Sequence, residues 1–286
     1  MEQQCEELRY MEVGTLLASG AEAYDYFGIS VAIDGNRLAV GAHGKDNMGV
    51  DAGKVYVYDW NGTAYVEVAQ LTASDAQASD YFGVSVALSG NRLVVGASIK
   101  DNVVEAGKVY IYDWNVATST YIKVAQLTDN YARSHNNFGA VVAVSGNKLV
   151  VGAQFNDTTA NGGGVVHVYD WDISTSTYVE VAQLTASDAQ TNDNIGSPVA
   201  RSGNRFATGE PCEDSSGGVS ARVWNGATSV YDEAAKLVAS KAEAYDIFGY
   251  SVALCGNRFA IGEPCEDSAV LDTGKVCVYD LPADSE

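Results

Sequence analysis

The stretch Phe82-Gly83-Val84-Ser85-Val86-Ala87-Leu88-Ser89-Gly90-Asn91-Arg92-Leu93-Val94-Val95-Gly96-Ala97 decides the fold. It reads as two short strands and a tight turn. Phe82, Val84, Val86 and Leu88 alternate with Gly83, Ser85 and Ala87. One face is therefore bulky, the other small, and neither is made for water. A small row lets a neighbouring sheet approach closely. Ser89-Gly90-Asn91 holds residues that tolerate the positive φ of a two-residue hairpin. Arg92–Ala97 is the second strand. A longer loop, Ser98 to Ala106, leads to a third strand at Lys108–Trp114, rich in Val, Ile and Tyr. A polar turn then leads to a fourth strand, Tyr121–Leu127.

Working outward, the same order recurs five times. Phe27-Gly28, Phe82-Gly83, Phe138-Gly139, Ile195-Gly196 and Phe248-Gly249 each open a unit of roughly 55 residues. A four-stranded antiparallel sheet with two apolar faces must be covered on both sides. Repetition around an axis achieves this, as a β-propeller. A stacked solenoid would require polar caps, which the sequence lacks. Residues Tyr10 to Phe27 align with Tyr65 to Phe82 without a gap, so the chain starts with a lone fourth strand, Tyr10–Leu16. It ends with the first three strands of a unit, Phe248–Leu281. Pairing that first strand with the last three closes the ring and removes two edges. The fold expected is all-β: one five-bladed propeller of four-stranded antiparallel blades over residues 10–281, closed by the N-terminal strand, with tails at 1–9 and 282–286. Unit four is the worn copy. Ile195 replaces Phe, Pro198 and Arg201 enter its first strand, and Ser220, Ala221 and Arg222 replace bulky residues of its third. It is expected to open first in hydrogen exchange.

The net charge is −20, from 37 acidic and 17 basic residues. Such a balance repels phosphate backbones, which argues against nucleic acid and anionic membranes as partners. No apolar run is long enough to span a bilayer, so no membrane insertion is expected. The start, MEQQCEELRY, has no apolar core and is not a secretory signal. Cys212 and Cys265 hold matching places in units four and five. Equivalent positions about 10 Å from a five-fold axis lie about 12 Å apart, beyond the roughly 5.5 Å Cα separation of a disulfide, so free thiols are expected.

The residues FGVSVALSGNRLVVGAS and GKVYIYDW, from Phe82 and Gly107 onward, resemble the FG-GAP repeat of the integrin α-subunit propeller, and are closer still to FG-GAP type 2 repeats. The likeness runs from about Tyr10 to Leu281. It implies a propeller, an extracellular or cell-surface setting, and a loop rim that binds ligand. Two departures stand out. Integrin-type propellers have seven blades. Their repeats often carry a calcium loop between the first two strands, and here that connection is a bare turn: Asp34-Gly35-Asn36, Ser89-Gly90-Asn91, Ser145-Gly146-Asn147, Ser202-Gly203-Asn204 and Cys255-Gly256-Asn257. Calcium wants six to eight oxygens, more than such a turn supplies. Fold alone does not carry adhesion across.

Strand direction sorts the loops. Connections between strands one and two, and three and four, lie on one rim and lead into Arg37, Arg92, Lys148, Arg205 and Arg258. Connections between strands two and three, and from one unit to the next, lie on the other rim. That second rim is acidic. Its candidate ligand-binding residues are Asp46, Asp51, Asp101, Glu105, Asp157, Asp214, Asp267 and Asp272. Candidates for a divalent cation such as Ca²⁺ are Asp75, Asp80, Asp188 and Asp193. The plainer reading of Asp25, Asp80, Asp193 and Asp246, each two residues before the Phe-Gly or Ile-Gly step, is a side chain that bonds backbone amides in a turn. His167 stands where Tyr56 and Tyr110 stand and reads as a packed core residue. Asp59-Trp60, Asp113-Trp114 and Asp170-Trp171 read as an aromatic lid on the blade's outer edge. No nucleophile-base constellation appears, so no catalysis is expected. The function expected is a monomeric, non-catalytic binding or adhesion-like module whose acidic rim meets a protein, glycan or divalent cation. A lectin with sites between blades, and a hydrolase or lyase with an axial site, are the alternatives.

Overall fold

The computed structural model describes residues 12, 14–98, 107–129, 136–157, 162–187, 189–211, 218–225, 230–238, 247–264 and 275–280. They form a five-bladed β-propeller. The first blade holds β1 (Ser30–Asp34), β2 (Arg37–Ala42), β3 (Lys54–Trp60) and β4 (Tyr65–Leu71). The second holds β5 (Ser85–Ser89), β6 (Arg92–Ala97), β7 (Lys108–Asn115) and β8 (Thr120–Leu127). The third holds β9 (Val141–Ser145), β10 (Lys148–Ala153), β11 (Val165–Asp172) and β12 (Thr177–Leu184). The fourth holds β13 (Val199–Ser202), β14 (Arg205–Glu210), β15 (Gly218–Asn225) and β16 (Val230–Leu237). The fifth holds β17 (Ser251–Cys255), β18 (Arg258–Glu263) and β19 (Lys275–Asp280). Every blade is an antiparallel meander in chain order.

The hairpins follow the expected chemistry. Asp34 pairs with Arg37 and Ser89 with Arg92, leaving two-residue turns. The glycines of the five turns, Gly35, Gly90, Gly146, Gly203 and Gly256, all have φ of +57°. The bare first connection read from the sequence is therefore present in each blade. In four blades the register between the third and fourth strands shifts at one place, as at Val57/Tyr58 and Ile111/Tyr112. Such a bulge adds twist, which turns the outer strand away from the inner one.

The first strand differs from the sequence expectation. It starts at Ser85, not at Phe82. Gly83 adopts φ of +91° and the Val84 amide donates to the Tyr81 carbonyl at 3.0 Å, so the chain turns before it extends. The turn removes Val84 from the bulky row. Phe82 leaves its own sheet and bridges in parallel to Gly53 of the preceding blade. Phe82, Val86 and Leu88 then pack with Val55 and Val57 of that blade.

The core thus lies between blades, in layers. Val109 and Ile111 of the second blade meet Phe138 and Val142 of the third. Val166 and Val168 meet Ile195 and Val199, and Val219 meets Phe248. Small residues set the spacing. Gly41 of the first blade faces the carbonyl oxygen of Gly83, Gly96 that of Gly139, Gly152 that of Gly196 and Gly209 that of Gly249; a β-carbon on any of the four would fall on that oxygen.

Two features concern the ring's ends. Of the expected strand at residues 10–16, residues 10, 11 and 13 lie outside the described set and residues 14–16 carry no strand. The fifth sheet has three strands among the described residues. The outward faces of the first and last blades are exposed. Cys212 and Cys265 lie outside the described residues, whereas Cys255 and Cys277 are free thiols.

Candidate functional site

The rim formed by the loops after the second and fourth strands carries a cavity of about 820 Å³. Its walls come from two blades: Tyr24, Tyr26, His43, Asp46 and Asp51 from the first, with Tyr81 and Val84 opening the second. The two loops are strapped together. Ser79, Tyr81 and Phe82 donate backbone amides to Val50, Asp51 and Ala52 at 2.7, 3.1 and 3.1 Å. Tyr26 and Tyr81 both have φ of +53°, a left-handed conformation that costs a bulky residue free energy. The same position is left-handed at Asn137, Asn194 and Ile247, so the conformation belongs to the scaffold. In the first two units it carries aromatic rings.

Those rings surround His43. Its ring lies 5.1 Å from Tyr26 and 5.3 Å from Tyr81, centroid to centroid. Its Nδ1 is buried without a hydrogen-bond partner. Burial holds its pKa below the usual 6.5, against a smaller upward pull from Asp51. His43 is therefore neutral at pH 7. Tyr24 is largely exposed and presents a ring to solvent at the mouth.

Asp46 and Asp51 supply the charge. Asp46 accepts the Asp51 amide at 2.8 Å, which folds the loop and leaves its second oxygen available. No cation among the described residues pairs with either carboxylate. Lys45, next in sequence, is committed elsewhere: it is buried, bonding Glu22 at 2.6 Å and Asp25 at 3.2 Å, and the Glu22 bond raises its pKa. The cavity is thus an aromatic cup with a negative side.

The other expected site residues are not gathered here. Asp157 repeats the Asp46 device in the third blade, accepting the Gly162 amide at 2.7 Å. Asp75 receives Lys108 at 3.0 Å and the Tyr110 hydroxyl at 2.6 Å. Asp80 and Asp193 are buried and accept the amides of Gln77 and Gln190, three residues earlier, as Asp25 does from Glu22 at 2.7 Å. Their turn role is the one expected, although the amide bonded precedes the acid instead of following it. Among the described residues no three His, Cys, Asp or Glu side chains are placed to hold a metal ion. Asp101, Glu105, Asp188, Asp214, Asp267 and Asp272 lie outside the described residues.

The opposite rim corrects one expectation, and three of its basic residues are held by carboxylates of their own blades. Arg37 is held by both oxygens of Asp59 at 2.7 Å, Arg92 by Asp113 at 2.8 Å, and Lys148 by Asp170 at 2.7 and 2.8 Å. Trp114 and Trp171 are not edge lids. The Arg37 guanidinium lies 4.0 Å over Trp114 of the next blade, and that of Arg92 3.9 Å over Trp171. The Asp-Trp pairs therefore link blades: Asp orients the Arg of its own blade, and Trp receives the Arg of the preceding one.

His167 is a packed residue, as expected. Its Nδ1 lies 2.7 Å from Glu180, its Nε2 3.9 Å from Asp129, and Phe138 and Tyr169 enclose it. An acid-flanked imidazole sealed in this way has no route to a substrate. The aromatic cup was not legible in the sequence. Tyr24, Tyr26 and Tyr81 come from two units and stand in segments without strand periodicity.

The chain belongs to the FG-GAP repeat family, whose repeat matches residues 10–58, 65–112, 121–169, 178–223 and 231–279. The last four matches each run from the fourth strand of one blade into the third strand of the next. Human Integrin alpha-11 is 37% identical over 107 residues, covering 32% of this chain and 9% of that protein. The chain thus spans under a tenth of the length of that relative. Among solved structures, Saccharomyces cerevisiae Sqt1 matches with a TM-score of 0.51 at 12% identity, over 86% of this chain and 58% of Sqt1. That likeness is one of fold alone.

Proposed function

We propose that the chain is a non-catalytic binding module that holds a protein ligand through a Lys or Arg side chain seated in the cavity of the first two blades. The observation that carries this reading is the meeting of Asp46 and Asp51, neither paired with a cation among the described residues, with the aromatic walls of Tyr24, Tyr26 and Tyr81. A desolvated cation over an aromatic face gains up to about 2 kcal/mol, and a nearby carboxylate adds charge-assisted hydrogen bonds. The chain's net charge of −20 draws basic ligands to the whole surface, and the cup selects among them. Kinship with an integrin α-subunit supports the protein ligand over a small molecule.

Chemical-shift mapping with N-acetyl-arginine-N′-methylamide tests the reading. Shifts concentrated on Tyr24, Tyr26, His43 and Tyr81 are expected. Shifts spread evenly over acidic surface residues would rule out a built site.

A further inference from the structure

The turn rim, opposite the aromatic cup, carries a cavity of about 470 Å³ between the second and third blades. Its walls are the turn Ser89-Gly90-Asn91, the Arg92–Asp113 pair and Trp114 of the second blade, with Gly146 and Asn147 of the third. A neighbouring hollow of about 430 Å³ shares Asp113 and Trp114 and continues over Val116, Ile122 and Val124. Val116 and Ile122 are both exposed. Trp114 thus stands where a polar hollow meets an apolar one.

Trp114 is a fixed platform. The Arg37 guanidinium lies 4.0 Å over its ring and Tyr121 meets it edge-on at 5.1 Å, so little order is lost when a ligand arrives. Its Nε1–H has no acceptor among the described residues. The side-chain amides of Asn91 and Asn147 are exposed and likewise make no hydrogen bond among the described residues. Asp113 accepts two N–H groups of Arg92 at 2.8 Å, which balances its charge and leaves a further lone pair on each oxygen. The Ser89 hydroxyl accepts the Gly146 amide at 3.0 Å and keeps its own proton to donate.

These groups narrow the ligand. The charges of the wall are paired, so neither a cation nor an anion is favoured. Donors (the Trp114 indole, two carboxamides and Ser89) stand beside acceptors (Asp113 and the carboxamide oxygens). A hydroxyl, which both donates and accepts, satisfies both kinds. A proline-rich peptide would bring carbonyl oxygens but no donor for Asp113. The walls at Trp114, Val116 and Ile122 ask for an apolar face on the same molecule. A pyranose ring has hydroxyls at its edge and C–H groups on its faces. We propose that the second and third blades hold a neutral oligosaccharide on the turn rim. One sugar ring lies over Trp114 with its hydroxyls on Asn91, Asn147 and Asp113, and the adjoining ring lies over Val116 and Ile122. The site shares no residue with the cationic cup, so the two stand or fall separately.

The pieces recur on either side. Trp60 and Trp171 donate their amides to the Asn36 and Asn147 carbonyls at 2.8 and 2.7 Å, as Trp114 does to Asn91 at 2.8 Å. A longer glycan lying along the rim therefore meets an indole and a carboxamide at successive blades, which adds avidity.

Indole ¹H–¹⁵N spectra test the proposal, with cellotriose, maltotriose and chitotriose as probes at millimolar concentration. The chain has four Trp, and a Trp114→Phe variant assigns the signal of interest. At least one trisaccharide is expected to move the Trp114 indole signal saturably while leaving Tyr24 and Tyr26 in place. Asn91→Ala/Asn147→Ala removes two exposed amides at positions without a left-handed backbone, so melting temperature should hold. Affinity for the same trisaccharide should fall about tenfold. An indole signal that none of the three sugars moves, an affinity that the double variant retains, or an acetylated tetraproline that moves the signal more than every trisaccharide would each overturn the proposal.

Discussion

Gly41 lies against the carbonyl oxygen of Gly83, across the first blade interface, with no space for a β-carbon. Replacing Gly41 with alanine must push two sheets apart. Overpacking of this kind costs about 1–3 kcal/mol. Gly41→Ala and Gly96→Ala are expected to lower the urea midpoint by that amount without changing the slope. Gly14→Ala, where nothing lies within 4 Å, should leave it unchanged. Equal effects at Gly41 and Gly14 would remove the close-approach account of blade spacing.

Arg92 links blades two and three through Asp113 and Trp171. Arg92→Gln removes a bidentate pair and a cation over an aromatic face. A loss of about 1–3 kcal/mol is expected in chemical denaturation, given that Arg92 is mostly buried. Arg258→Gln, in an equivalent but exposed pair, should change the stability of the single chain little. A similar loss at both positions would show that the Asp contact, and not the stacking, carries the effect.

His43 gives the first blade a pH dependence whose sign follows from its environment. Its folded pKa lies below 6.5, so the unfolded chain takes up the proton first. Its contribution to stability is constant above about pH 6.5 and falls as pH drops toward the depressed folded value. His43→Phe should flatten that portion of the curve, read as the difference in unfolding free energy between pH 7.5 and 5.5, both on the order of one unit from the reference pKa. An unchanged difference would place His43 in a solvated, unperturbed setting.

Buried Glu210 and Glu263 depart from the alanines found at Ala42, Ala97 and Ala153. Glu210 is 3.4 Å from Lys236, which stands where Gln70, Gln126 and Gln183 stand. Restoring the common pattern with Glu210→Ala/Lys236→Gln is expected to be neutral or stabilising, as for other buried ion pairs. Lys236→Gln alone takes a cation from a buried carboxylate and should cost about 3 kcal/mol. A double variant as unstable as the single one would mean the pair is needed for packing.

Much of this architecture is written in the residues. Arg92–Ala97 forms the strand expected, and each Gly-Asn turn folds as its residues require. The close packing implied by Gly83 and Ala87 is present as well. Periodicity misled where a left-handed residue interrupts the strand: Gly83 turns the chain, so Val84 leaves the row it was assigned to. The sequence around Trp114 does not reveal its partner, because Arg37 is a whole unit away. The cup around His43 was hidden for the same reason. Its rings meet only because backbone bonds strap the loop at 50–52 to residues 79–82 of the next unit. Charge is legible in the sequence: Asp46 and Asp51 read as acids of the second rim, and both line the cavity.

The binding reading rests on a cation meeting Asp46 and Asp51 inside that aromatic cup. Calorimetric titration compares two acetylated tripeptides, Gly-Arg-Gly and its citrulline counterpart, which keeps the shape and loses the charge. The arginine peptide is expected to bind at least about tenfold more tightly, the equivalent of 1.4 kcal/mol, and Asp46→Asn/Asp51→Asn should abolish the difference. Equal affinity for both peptides, or a preference that survives the double substitution, would contradict the account.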